Sequence, residues 1–243
     1  VLAVFLLLTG ALGRPFAQSS GAKSACFDEN WKFHRGGAQR AEQPEFDDSG
    51  WRVVNLPHDW SIEDLPDGQA GLPGTRSPFD PDAVSQVSGG FTTGGTGWYR
   101  KTFTVPDSMK GSISTLRFDG VYMNAECWLN GHYLGEHPYG YTSFYFDITG
   151  FINYGKTNVL AVKVRNEGEN SRWYSGSGIY RHVWLTHDLP VHIPLWGIQV
   201  TTPEVSENSA GVVIKTRIIN NSAKACEVRL ATQVNNRKNE IAA

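Results

Sequence analysis

The fold is decided by the stretch VYMNAECWLNGHYL, residues 121–134. Apolar side chains occupy alternate positions of its first nine residues: Val121, Met123, Ala125, Cys127 and Leu129. This two-residue period is typical of a strand with one face in the core. Asn130-Gly131 then offers the positive φ angles of a tight turn, so a β-hairpin is predicted, with Cys127 as a small buried hydrophobe.

Polar or amphipathic groups fill the intervening positions of this strand, at Tyr122, Asn124 and Glu126. The favoured interpretation is hydrogen bonding and packing on the sheet surface. Further segments of strand character occur at residues 30–34, 98–105, 112–118, 144–146, 158–164 and 179–186. Their spacing predicts a β-sandwich or jelly roll. Pro190 and Pro194 end this series, and new strands at 197–201, 211–220 and 226–234 predict a second β-domain from about residue 191.

Charge and cysteine content exclude several classes of function. Lys and Arg number 22 against 24 Asp and Glu, without a dense basic cluster, so nucleic acid is not an expected partner. The three cysteines form no metal or redox motif. His182 and His187 have no third ligand at metal spacing, so no metal site and no cofactor are predicted.

The first twelve residues are almost entirely apolar. A membrane-spanning helix needs about 20 such residues, so no stable membrane insertion is expected. The stretch resembles the hydrophobic region of a secretory signal peptide. We assign this signal peptide to residues 1–20 and expect it to be incomplete at its N-terminus. Export to the periplasm or the medium follows from that assignment. A buried N-terminal strand is the alternative.

The run SRWYSGSGIYRHVWL, residues 171–185, joins a polar, aromatic loop to an alternating strand. Aromatic rings cover the apolar faces of a sugar, and Arg bonds its hydroxyl groups, so the loop is typical of a carbohydrate site. The alternative is a buried aromatic corner whose Arg bonds backbone carbonyls.

Five motifs together resemble one family. They are WKFHRG (31–36), VNLPHDWSIE (54–63), GGTGWYRKTF (94–103), FDGVYMNAECWLNGHYLGEHPYGYTSFYFDIT (118–149) and the run at 171–185. In this order they resemble the N-terminal sugar-binding domain of glycoside hydrolase family 2, especially its secreted bacterial β-galactosidase-like members. The resemblance implies an all-β chain: a galactose-binding-like jelly-roll sandwich over residues 26–190, then a truncated immunoglobulin-like sandwich over 191–243.

The same resemblance implies a retaining glycosidase whose two glutamates lie on a downstream TIM barrel of the same polypeptide, about 5 to 5.5 Å apart. The present chain is then expected to be inactive alone and to shape the subsite for a β-galactoside or related β-linked glycan. Its own acidic pairs, Glu167 with Glu169 and Asp64 with Asp67, lack the apolar surroundings that a general acid needs. A homo-oligomer is possible.

By resemblance, Arg172 bonds a sugar hydroxyl, Trp173 forms the adjacent wall, and Asp59 is a second sugar ligand. Asp59 can equally be a turn or cap residue, with Trp60 packed beneath it. Some family members place an acidic residue of a cation site where this chain has Ser171 and Arg172, so we assign no metal ligand and leave a structural or subsite cation open.

Two other functions remain at this point. The chain could be a stand-alone carbohydrate-binding or adhesion module, or a structural sandwich whose aromatic loop is packing. His137, Tyr139 and Tyr141 could line a cleft, although Pro138 and Gly140 mark their segment first as a turn.

Overall fold

The computed structural model describes residues 3–9, 23–65, 77–168 and 175–235, with side chains from residue 23 onward. The chain divides into two compact units: Ser24–His187, and a second unit made of Val1–Lys23 with Asp188–Ala243. Regular structure is almost entirely β, and this confirms the predicted all-β class. Within the described ranges, no helix has the length and apolar character needed to cross a membrane.

The strands are numbered in chain order. They are β1 Ala3–Thr9, β2 Lys23–Cys26, β3 Trp31–Arg35, β4 Arg52–Val54, β5 Gly95–Thr104, β6 Ile113–Phe118, β7 Ala125–Leu129, β8 His132–His137, β9 Phe144–Asp147, β10 Thr157–Asn166, β11 Val183–Asp188, β12 Val191–His192, β13 Ile198–Val205, β14 Ala210–Thr216, β15 Ile219–Asn220 and β16 Arg229–Asn235. Short 3₁₀ helices occur at Trp60–Ile62, Gln86–Gly89, Asp107–Met109 and Thr149–Phe151.

The unit Ser24–His187 is a sandwich of two sheets. The larger sheet has the order β4-β3-β5-β10-β7-β8 and the smaller has the order β2-β11-β6-β9. One cluster of buried hydrophobic side chains draws Tyr99 and Leu160 from the larger sheet and Phe118 and Val183 from the smaller. The sheets therefore pack face to face, as the predicted sandwich requires.

The predicted hairpin is present. Strands β7 and β8 pair antiparallel, and Asn130 and Gly131 between them have φ angles of 53° and 80°. Such a pair of left-handed residues matches the twist of the strands it connects. Cys127 is fully buried, and burial raises the pKa of its thiol. This confirms the prediction for Cys127.

The predicted start of this strand is wrong by four residues. Val121 and Tyr122 are both buried although they are neighbours, and Asn124 has a φ of 47°. A left-handed residue breaks the alternation of faces, and its short amide fits this conformation because Nδ2 donates to the carbonyl of Arg165 at 3.1 Å. Regular pairing begins only at Ala125. Tyr122 instead forms an isolated bridge with Gly178.

The outer face of the larger sheet carries polar contacts. Glu126 forms ion pairs with Arg165 at 3.1 Å and Lys163 at 3.6 Å, confirming that this residue serves the sheet surface. Arg100 on β5 is 2% exposed. Its guanidinium pairs with Asp48 at 2.8 Å and donates to backbone carbonyls of the segment 41–46, which holds this polar segment against the sheet.

The second unit contains three two-stranded pairings: β1 with β16, β12 with β15, and β13 with β14. All eight residues of β13 are exposed. Residues 3–9 of the assigned signal peptide lie in β1, and residues 10–20 lie outside the described part of the chain. The signal peptide and the domain limits at residues 26, 190 and 191 stay predictions.

Candidate functional site

Trp60 anchors the loop between β4 and the segment that leads to β5. Its side chain is fully buried, stacks on Phe33 with ring centroids 5.7 Å apart, and donates from Nε1 to the carbonyl of Gly94 at 3.1 Å. Gly97 passes so close that an added Cβ would lie 2.6 Å from this indole. The prediction that Trp60 is packed beneath Asp59 is confirmed. The neighbouring loop is therefore held on a rigid base.

Asp59 is the N-cap of the 3₁₀ turn Trp60–Ile62. Its Oδ1 accepts from the backbone amide of Ser61 at 2.9 Å and from that of Ser177 at 2.8 Å. The cap interpretation of Asp59 is confirmed, whereas its contact with a sugar stays a prediction. One carboxylate thus joins the loop after Pro57 to the segment that follows residue 174.

Ser177 lies at the centre of a second set of contacts. Its hydroxyl accepts from Ser61 Oγ at 2.6 Å and from Asn166 Nδ2 at 2.7 Å, and Asn166 also donates to the carbonyl of Gly176 at 2.9 Å. Gly178 follows with a φ of 132°, where an added Cβ would lie 2.4 Å from the Tyr99 hydroxyl. The residues after 174 are consequently fixed by side chains from two other segments.

A series of hydrogen-bonded polar groups, from the buried Tyr99 to the half-exposed Arg52, supports the same corner. His58 lies 2.8 Å from Glu63 Oε1 through Nε2 and 2.6 Å from the Tyr99 hydroxyl through Nδ1. Because a carboxylate only accepts, Nε2 carries the proton and Nδ1 accepts from Tyr99. Arg52 forms an ion pair with Glu63.

The pKa values of these hydrogen-bonded side chains follow from burial and charge. Burial lowers the pKa of His58 although the hydrogen bond with Glu63 opposes it. Burial would raise the pKa of Glu63, but Arg52 and His58 hold it below its usual value. Burial raises the pKa of Tyr99 well above its usual value. Tyr99 is fully buried, and its hydrogen bond with His58 ties the loop after Pro57 to strand β5.

A cavity of about 310 Å³ opens beside this corner. Its described lining comes from three segments: residues 80–85 with Gly89, residues 92–95, and residues 166–168 with 175–176. Carboxylates of Asp80, Asp82 and Glu167 give it an acidic wall. Thr93 Oγ1 is buried and has no hydrogen-bond partner within the described residues. The volume and the polar lining suit a small ligand with hydroxyl groups.

Several residues that the sequence singled out lie outside the described part of the chain, whereas their neighbours lie within it. Arg172 and Trp173 lie outside the described residues, as do Ser171, Glu169 and Asp67, so their roles stay predictions. Gly168 and Ser175, the described residues on either side of 169–174, both line the cavity.

Sequence reasoning missed Asp80 and Asp82 in the lining. The signal that could have identified them is their repeat at a spacing of two in a Pro- and Gly-rich segment. Asp80 Oδ1 accepts from the amide of Asp82 at 2.9 Å, a local turn that such spacing favours. The sequence indicates Glu167 only as a candidate catalytic acid. In the structure it lies at the cavity wall, where its carboxylate accepts a hydrogen bond from the Thr96 hydroxyl at 2.7 Å.

The loop between β8 and β9 exposes two aromatic rings. Tyr139 and Tyr141 are 57% and 47% exposed, with centroids 5.7 Å apart. Tyr180 donates to the carbonyl of Gly140 at 2.7 Å, and an added Cβ on Gly140 would lie 2.1 Å from the Tyr122 ring. The turn interpretation is therefore confirmed for this segment.

A two-sheet β-sandwich whose loops enclose a polar cavity defines a class of domain that binds small polar ligands. The sequence places the chain within that class more narrowly. The family model described as "Glycosyl hydrolases family 2, sugar binding domain" matches residues 47–190. The chain belongs to glycoside hydrolase family 2.

Individual relatives agree with this assignment. A β-galactosidase of Bacteroides ovatus is 46% identical over 197 residues, an alignment that covers 81% of this chain and 22% of that protein. A putative β-glucuronidase of Formosa agariphila is 39% identical over 193 residues, covering 79% of this chain and 17% of that protein. The chain thus spans about a fifth of the length of these curated relatives.

A solved structure shows the same fold. The family 2 member from Bacteroides cellulosilyticus aligns with a TM-score of 0.72 and 42% identity, over 86% of this chain and 29% of that one. A β-glycosidase from Bacteroides vulgatus aligns with a TM-score of 0.71 and 35% identity, over 87% of this chain and 28% of that one. The described chain therefore shares its fold with the matched part of both structures.

Proposed function

We propose that this chain is the non-catalytic sugar-binding part of an exported retaining β-galactosidase. A TIM barrel of the same polypeptide supplies both catalytic glutamates, and the cavity wall described above completes the sugar subsite over that barrel. The observation that carries the proposal is the rigid corner at Asp59, Ser177 and Asn166. It holds the described residues that follow the segment 169–174, and Gly168, which precedes that segment, lines the same cavity.

The charge of the cavity favours a galactoside over a glucuronide. Both activities occur in the names of the relatives. A glucuronide carries a carboxylate, which Asp80, Asp82 and Glu167 repel. The proposed sugar ligand Arg172 supplies one positive charge against these three negative charges, and the described lining adds no other Lys or Arg. A neutral galactoside presents only hydroxyl groups, for which carboxylates are good acceptors.

Export is the second part of the proposal. The apolar stretch at residues 1–12 supports it, because the hydrophobic region of a signal peptide has this length and composition. Release of residues 1–20 from the exported protein, read by mass spectrometry of its N-terminus, tests this part. Retention of the stretch in the exported enzyme would contradict it.

Kinetics of the complete enzyme test the subsite. Arg172→Ala should lower kcat/KM for nitrophenyl β-galactoside at least tenfold, equivalent to about 1.4 kcal/mol of transition-state binding. Arg181→Ala is the matched control, since Arg181 is exposed and follows in the same sequence run, 171–185, and it should leave kcat/KM unchanged. Equal kinetics for both variants would remove Arg172 from the site.

A second variant tests the charge argument. Glu167→Gln should raise the ratio of glucuronide to galactoside turnover by severalfold, because it removes one repelling charge. The isolated chain should hydrolyse neither substrate. Turnover by the isolated chain would overturn the placement of chemistry on the barrel.

A further inference from the structure

Three residues with metal-binding side chains meet at the edge of the smaller sheet. Cys26 ends β2, Asp28 follows two positions later, and His182 immediately precedes β11. One donor atom from each residue lies within 4.8 Å of the other two. None of the three residues belongs to the described cavity lining. They belong instead to the pairing of an edge strand with its neighbour.

Backbone contacts hold the two strands together and orient one of the three donors, Asp28. The amide of Phe27 donates to the carbonyl of Val183 at 2.8 Å, and the amide of Val183 donates to Asp28 Oδ1 at 3.0 Å. Asp28 Oδ2 lies 2.6 Å from His182 Nδ1. One carboxylate oxygen is thus oriented by the backbone and the other is presented to the imidazole and the thiol, as expected for a supported metal ligand.

We propose that Cys26, Asp28 and His182 bind a zinc ion. Thiolate sulfur, imidazole nitrogen and carboxylate oxygen are the three donor types that zinc accepts, whereas calcium and magnesium prefer oxygen alone. The Cys26 and His182 side chains are exposed, so solvent supplies the fourth position of a tetrahedron.

The present separations require only small movements. Two ligands bound to zinc at about 2.0–2.1 Å in a tetrahedron are about 3.3 Å apart. The His182 to Asp28 contact at 2.6 Å must therefore lengthen, and the more distant pairs must shorten. Rotation of the exposed Cys26 and His182 side chains accomplishes this without disturbing the buried core.

Proton balance gives the site a distinct signature. Zinc binds cysteine as the thiolate, so a thiol gives up its proton when the metal binds. Zinc binding then breaks the S–H bond, forms a Zn–S bond and releases that proton to solvent. Zinc binds the neutral imidazole, so with the metal on Nδ1 the ring proton of His182 lies on Nε2. About one proton per metal ion should appear.

Cobalt titration of the full chain, prepared without a histidine tag and under reducing conditions, tests the proposal. Cobalt should bind at about one ion per chain with a thiolate-to-metal charge-transfer band, and zinc should abolish the band. Calcium and magnesium should leave the band intact. Calorimetry in buffers of different ionisation enthalpy measures the released proton.

Variants separate this site from nonspecific binding. Cys26→Ser should abolish the charge-transfer band, and His182→Gln and Asp28→Asn should each weaken zinc binding at least about tenfold. Cys226→Ser is the matched control, because its thiol is also exposed, and it should bind as the unchanged chain does. Circular dichroism without metal establishes that each variant is folded.

Two results overturn the proposal. The first is the absence of a charge-transfer band in the folded, reduced chain, which leaves the trio as a hydrogen-bonded contact only. The second is a band of equal strength in Cys26→Ser. If Cys26→Ser does not fold, the decision rests on His182→Gln, whose side chain is 51% exposed and therefore replaceable.

Discussion

Strand β6 of the sandwich and strand β13 of the second unit differ sharply in burial. Alternate residues of β6 are buried, at Ser114, Leu116 and Phe118, whereas every residue of β13 is exposed. Both sequences place apolar residues at a spacing of two, with Ile198 and Val200 in β13. The pattern of a strand therefore predicts pairing with a neighbour. Burial requires in addition a second layer, which β6 obtains from the opposite sheet.

This difference has an energetic consequence. Each large apolar side chain removed from water contributes about 1.5–3 kcal/mol, and tight packing adds to it. Side chains of β13, and most of those of β14, gain little of this in the described structure because they stay exposed. Substitutions of similar chemistry in the two units should therefore have unequal effects, and matched pairs of variants measure that inequality.

The largest effect is expected from truncation in the core. Phe118 is fully buried and stacks on Phe144 with centroids 4.9 Å apart. Phe118→Ala should lower the free energy of unfolding by about 3–5 kcal/mol, since it loses burial and leaves a cavity. Val212→Ala in β14, at a side chain 40% exposed, should change it by no more than about 0.5 kcal/mol.

Urea unfolding of the full chain followed by tryptophan fluorescence measures this pair. Seven of the eight tryptophans precede residue 188, with Trp196 as the eighth, so the signal reports mainly on the sandwich. Hydrogen exchange at amides of β14 reports on the second unit. Equal losses from Phe118→Ala and Val212→Ala would show that the exposed strands are buried in solution.

A slightly smaller effect is expected from Arg100. Arg100→Met keeps the length of the side chain but leaves Asp48 and the carbonyls of Ala41 and Gln43 without their donor. Removal of one member of a buried ion pair costs about 3 kcal/mol. Arg217→Met, at an exposed residue of the second unit, is the control. Comparable unfolding curves for the two variants would mean that the segment 41–46 is held by other contacts.

The role of Arg100 could not be predicted from the sequence. Most of its partners are backbone carbonyls, and a carbonyl leaves no trace in the amino-acid pattern. The hairpin at Asn130 was predictable because local turn chemistry determines it. The start of β7 was not, because Asn124 adopts its left-handed conformation through the distant carbonyl of Arg165.

The candidate site was partly predictable for the same reason. The motif at residues 54–63 indicated Asp59, but its cap contact with Ser177 joins residues 118 positions apart. Asp80 and Asp82 reach the cavity only through the folding of the segment that carries them, which has no strand or helix period. Local patterns therefore identified the elements, and tertiary contacts determined which side chains meet.

A third comparison concerns two capping side chains. Asp59→Ala removes two backbone hydrogen bonds at a partly buried corner and should cost about 1–2 kcal/mol. Asn220→Ala in the second unit removes a similar bond to the amide of Ser222 at 2.8 Å, together with bonds to the Ser222 hydroxyl and the Lys224 carbonyl. All three are exposed and water replaces them, so a loss of only about 0.5 kcal/mol is expected.

Asp59→Asn keeps the accepting oxygen and separates structure from sugar binding. It should retain most of the stability that Asp59→Ala loses. Thermal unfolding of the three variants measures this, and an Asn variant as unstable as the Ala variant would show that the negative charge matters more than the cap. In the complete enzyme, lowered activity with intact stability in Asp59→Asn would support contact with the sugar.

The smallest effect is a pH dependence confined to the sandwich. Burial lowers the pKa of His58, so the folded chain binds a proton there less readily than the unfolded chain, whose histidine pKa is about 6.5. The groups that face His58 are Glu63, Arg52, Asp59 and Tyr99. Above about pH 6.5 neither state is protonated and the stability is complete. As pH falls below that value, the unfolded state gains protons and the free energy of unfolding declines toward the folded pKa.

His58→Gln should flatten this decline in urea unfolding measured between about pH 5 and 7. Burial also lowers the pKa of His137, so His137→Gln is the necessary companion variant. The lowered pKa values of Glu63 and Asp28 act in a more acidic window and do not interfere. The chemical rate of amide exchange itself depends on pH and must be corrected for. After that correction, protection from exchange should increase with pH at Tyr99 and not at Val213. A decline that persists in both Gln variants would assign the pH dependence to groups other than these histidines.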